Sequence, residues 1–88
     1  MSEAKEQLQQ FLRDSNQRVA NVANDLLKLY SRVERGEMSE NEFAELAGDV
    51  VDLININDLT VDIKTAKHLD EAEQALRALI PKLVGAVM

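Results

Sequence analysis

The chain has 88 residues, a net charge of −6, no cysteine, and only Phe11, Tyr30 and Phe43 as aromatics. That length allows one domain with a modest core of Leu, Ile, Val and Ala, which suits a helical bundle and excludes a disulfide framework or a cysteine-based zinc site. The charge is uneven: residues 2–35 hold six Lys/Arg and five Asp/Glu, residues 36–63 hold eight Asp/Glu and no Lys/Arg, and residues 64–88 hold four Lys/Arg and three Asp/Glu. An acidic middle disfavours nucleic acid as a partner and favours a basic-surfaced protein.

The first predicted element is one long helix from Ser2 to Arg35. Leu8, Leu12, Ser15, Val19, Val22, Leu26, Leu29 and Val33 alternate steps of four and three, a coiled-coil-like heptad on one stripe. Ser2 is the expected N-cap, Glu3 and Glu6 suit the first turn, and Arg32 and Arg35 suit the last. Gly36 fits the left-handed residue after the helix. Such a helix would be roughly 50 Å long. Residues flanking the stripe form no opposite-charge pairs, while Phe11, Ala23 and Tyr30 widen it, as a helix covered on two sides requires. Ser15, with Asn16 beside it, interrupts the stripe and is a candidate for setting register.

The second helix carries the clearest local signal. Ser39 and Glu42 form a capping box, and Met38 and Phe43 occupy the two positions of a hydrophobic staple. The helix should begin at Glu40, run through Phe43, Leu46, Ala47, Val50 and Ile54, and fold back antiparallel on the first after a short link. Gly48 costs about 1 kcal/mol in a helix interior, and close helix approach is the expected compensation.

From Leu53 to Ile63 a turn, a kink and a short strand are all compatible with the residues. A break between helices is preferred, with Asp58 or Thr60 as the next cap, over a small hairpin at Asn57 and Asp58. The third helix should reach about Ile80, with Leu69, Ala72, Leu76, Leu79, Leu83 and Ala86 restoring the heptad. Pro81 should stop or kink it. The predicted fold is all-α: a long N-terminal helix packed on two shorter helices as an antiparallel hairpin or three-helix bundle. Residues 1–80 form the domain and residues 81–88 a short apolar tail.

No catalytic constellation stands out. His68 lies among Lys64, Lys67 and Glu71, is expected on the surface, and has no nucleophile spaced to work with it. Gly36, Gly48 and Gly85 are isolated and make no phosphate loop. Glu42, Glu45, Asp49 and Asp52 share one helix face. Hard cations take such oxygens, but no calcium loop or Glu-x-x-His pattern accompanies them, so a solvated face or a contact surface is expected. No cofactor or metal is expected.

No apolar run approaches the roughly 20 residues that span a bilayer, and the polar start (Met1, Ser2, Glu3, Ala4, Lys5, Glu6) does not resemble a signal peptide. A soluble cytoplasmic protein, or part of an assembled intracellular or viral particle, is expected, with no membrane partner. The leading functional expectation is a non-enzymatic assembly or adaptor protein. It would self-associate as a homo-oligomer, or dock on a partner protein, through Leu26, Leu29, Val33, Leu76, Leu79, Leu83, Val84 and Val87. The alternative is a small acidic binding protein or inhibitor whose Glu42, Glu45, Asp49 and Asp52 occlude a basic, nucleic-acid-binding type of surface on its target.

Overall fold

The computed structural model describes residues 3–55 and 62–87. They form an all-α bundle of α1 (Glu3–Gln10), α2 (Gln17–Glu34), α3 (Glu40–Asp52) and α4 (Ile63–Val87), with single 3-10 turns at Phe11–Arg13 and Leu53–Asn55. The antiparallel packing agrees with expectation, but the long first helix does not. A continuous helix from Ser2 to Arg35 would outrun the 40 Å long axis of the molecule. The chain instead breaks at Asp14–Asn16.

The cause of the break is local. Asp14 adopts an extended backbone, and its carboxylate accepts the Asn16 N–H at 2.8 Å. Asn16 Oδ1 then accepts the N–H groups of Arg18 at 2.9 Å and Val19 at 3.4 Å, capping α2. Short polar side chains that bond the backbone this well compete with helix continuation. Ser15 therefore sets no helix–helix register; it lies exposed at the break, and Leu12 leaves the core with it. The α2 stripe is carried by Val19, Val22, Ala23, Leu26, Tyr30 and Val33.

The α2–α3 turn follows the sequence closely. Gly36 has φ +76°, its N–H bonds the Val33 carbonyl, and the Glu37 N–H bonds the Arg32 carbonyl. These two bonds make the Schellman close that satisfies the last carbonyls of α2. Ser39 Oγ accepts the Glu42 N–H at 3.1 Å and donates to the Glu42 carboxylate, while Met38 and Phe43 are buried.

The expected hairpin at Asn57–Asp58 and the expected caps Asp58 and Thr60 lie outside the described residues. Helix α4 starts at Ile63 with Asp62 as its cap, the carboxylate accepting the Thr65 N–H at 2.7 Å. It does not end at Pro81. The proline sits on the exposed side, where water can reach the Arg77 carbonyl that its missing N–H leaves unbonded, and helix continues to Val87. Of the expected tail, residues 81–88, all the described part (81–87) belongs to the last turns of α4, with Leu83 in the core.

The helices run down, up, down and up. Lys5 paired with Glu34 brings the start of α1 to the end of α2. The guanidinium of Arg18 donates to the Ile54 carbonyl, tying the start of α2 just beyond the end of α3. His68 bonded to Asp14 brings the first turns of α4 to the break. Around the bundle the order is α1, α2, α3, α4; α4 packs on all three others, while α1 and α3 lie at opposite corners without touching. Among the described residues the core holds no polar or charged side chain. Tyr30 and Phe43 meet edge to face at 5.9 Å, with Lys5 Nζ 5.7 Å above the Tyr30 ring. Gly48 is not explained by close approach, because a Cβ there would meet nothing within 4 Å.

Candidate interaction surface

The eight apolar side chains singled out for association divide three ways. Leu26, Val33, Leu76, Leu79 and Leu83 are buried in the core of one copy, whereas Leu29 and Val84 are half-buried at its margin. Val87 belongs to the last turn of α4, and its side chain is outside the described set. Among the described residues the large apolar side chains left on the surface are others: Leu12 (39% exposed), Leu46 (40%), Leu53 (45%) and Ile63 (90%).

Helix geometry places these relative to one another. On α3, Phe43, Ala47, Val51 and Ile54 face the core, and the Asp52–Arg77 ion pair marks the flank toward α4. Leu46, Val50 and Leu53, spaced four and three, fall on the opposite flank, toward α2. On α2, Lys5 against Glu34 marks the α1 flank and Arg18 against Ile54 marks the α3 flank, which also carries Leu29. Leu29, Leu46, Val50 and Leu53 therefore fall on the flanks of α2 and α3 that face each other, an apolar seam in which Leu46 and Leu53 are exposed and Leu29 and Val50 are half-buried.

Charge flanks the seam unequally. On the α3 side Glu42, Glu45, Asp49 and Asp52 are all exposed, as the sequence suggests. Glu42 takes part in the helix cap and Asp52 pairs with Arg77, whose charged form this bond favours, raising its pKa. Glu45 and Asp49 make no ion pair among the described residues. On the α2 side Lys28 and Arg32 are exposed and likewise unpaired there, with Asp25 beside them.

A second polar feature lies at the break. His68 Nε2 is 2.8 Å from Asp14 Oδ1, the same oxygen that accepts the Asn16 N–H. The histidine, expected merely to be on the surface, thus tethers α4 to the α1–α2 break. Ser15, Asn16, Lys64, Thr65 and His68 line a shallow groove of about 300 Å³ there. Among the described residues, no three His, Asp or Glu side chains converge as a metal site needs, and no helix is long and apolar enough to cross a membrane.

No protein-family model, characterised protein or solved structure matches this chain.

Proposed function

We infer that the protein is a non-enzymatic assembly module that associates with copies of itself through its outer apolar surface. The observation that carries this reading is the seam of Leu29, Leu46, Val50 and Leu53, where leucines 40% and 45% exposed stand in a row on a domain that already has a closed core. Apolar side chains aligned along one groove expose contiguous surface that burial in a contact would stabilise. Sedimentation velocity over a hundred-fold range of concentration, at low and high salt, tests it. A defined oligomer that survives high salt is the expected result, because apolar association persists as charges are screened. A monomer at every concentration would sink the reading.

A second reading has its own support, the exposed carboxylates Glu45 and Asp49. They suit a contact with a basic protein surface, competing there with a polyanion. Capture of a basic partner that vanishes at moderate salt, and with Glu45→Lys/Asp49→Lys, would favour this reading over self-assembly.

A further inference from the structure

We propose that a second copy of this chain occupies the α2–α3 groove, in a two-fold dimer that lays α2 of each copy over α3 of the other. The proposal rests on the self-association reading and adds its surface, its symmetry and its ion pairs.

The argument is charge complementarity across the seam. Viewed from outside, the face carries a cationic edge on α2 (Lys28, Arg32), the apolar seam in the middle, and an anionic edge on α3 (Glu42, Glu45, Asp49). Two such faces can meet about a two-fold axis in two main ways. An axis across the helices sets α2 on α2 and α3 on α3, so like charges meet. An axis parallel to the helices sets α2 on α3, so each cationic edge meets an anionic one while seam meets seam. An isologous contact repeats every pair, so each favourable or unfavourable pair counts twice. The pattern therefore selects the parallel axis.

That axis also sets which residues meet, because rotation about it leaves height along the bundle unchanged. Tyr30 against Phe43 and Arg18 against Ile54 define the levels within one copy. Carried across the dimer, Lys28 meets Glu45 and Arg32 meets Glu42 of the second copy. Asp25 falls level with Asp49, the one like-charge pair. The leucines supply the apolar contact and the charges choose its orientation.

The test is sedimentation equilibrium of the full chain at low salt, with circular dichroism to confirm that each exposed-site variant keeps its helicity. Lys28→Glu alone and Glu45→Lys alone should each weaken the dimer about tenfold, since each makes two repulsive pairs. Mixing those two variants should restore association between unlike chains, because both cross-pairs become attractive. Asp25→Asn should tighten the dimer about threefold. Leu46→Ser/Leu53→Ser should abolish it. A wild-type chain that stays monomeric overturns the self-association reading itself. A wild-type dimer insensitive to Leu46→Ser/Leu53→Ser, or a mixture that fails to restore association, overturns this surface and leaves self-association standing. Loss of the dimer on Val84→Ser, with the seam variants unaffected, would move the interface to the α3–α4 margin and overturn the proposal in the same way.

Discussion

The two ends of the bundle are held together differently. At the α2–α3 end the closing bonds are local: Gly36 and Glu37 bond back into α2, and Ser39 caps α3 within its own first turn. At the opposite end the ties are long-range: Asp14 to His68, 54 residues apart, and Arg18 to Ile54, 36 apart. The turn at one end is thus closed by backbone motifs, with the Lys5–Glu34 pair joining α1 to it, whereas the other end adds to its local Asn16 cap side chains that meet only when the whole bundle is present. The first kind is legible as a short string of residues, and the second is not.

The largest disturbance should come from the aromatic layer that joins the local turn to the core. Phe43→Ala removes a side chain that is 1% exposed and the ring that Tyr30 packs against, and should cost about 3–5 kcal/mol in urea unfolding. At the other end, Asp14→Ala removes both the His68 bond and the Asn16 backbone bond and should cost about 2 kcal/mol. His68→Gln should cost less, and a double-mutant cycle should return a coupling of about 1 kcal/mol between the two positions. A coupling near zero would mean that the His68 bond adds nothing here and that this end is held by the α2 cap and the Arg18–Ile54 bond.

Two glycines sharpen the contrast with opposite signs. Gly36→Ala forces a Cβ onto φ +76° and should destabilise by about 1 kcal/mol. Gly48→Ala finds open space and a helical backbone, so it should stabilise by about 1 kcal/mol. The smallest effect concerns pH. The Thr65 backbone N–H, and then its hydroxyl, hold the Asp62 carboxyl below its ordinary value of 3.8. Its contribution is complete above that value and fades as pH falls through the lowered one. The protection factor of the Thr65 amide, taken against the intrinsic exchange rate at each pH, should fall at acid pH in the wild type and be low already at neutral pH in Asp62→Ala.

What could be read beforehand follows the same division. The capping box, the staple and the glycine close needed only neighbours in sequence, and the heptad of Leu69, Leu76 and Leu83 needed only periodicity. The break at Asp14–Asn16 was written in three consecutive cap-forming residues. The heptad through Ser15 masked it, because Leu8 and Leu12 keep the spacing while Leu12 leaves the core. Pro81 predicts a stop or kink because it cannot donate to the carbonyl four residues back, yet the proline lies exposed and the helix continues past it to Val87. The carboxylate row on α3 was visible as a pattern. The exposure of Leu46 and Leu53 was not, because periodicity gives the direction of a side chain and not how far its neighbours reach over it.

The place of α4 has a consequence for the order in which this chain is made. It is the shared partner of α1, α2 and α3, and it is the last of them to leave the ribosome. Until residues 63–87 emerge, α1, α2 and α3 can pack only on one another, and the side that α4 covers in the finished bundle stays open. Until α4 joins them, that open apolar side is available to chaperones and to neighbouring nascent chains.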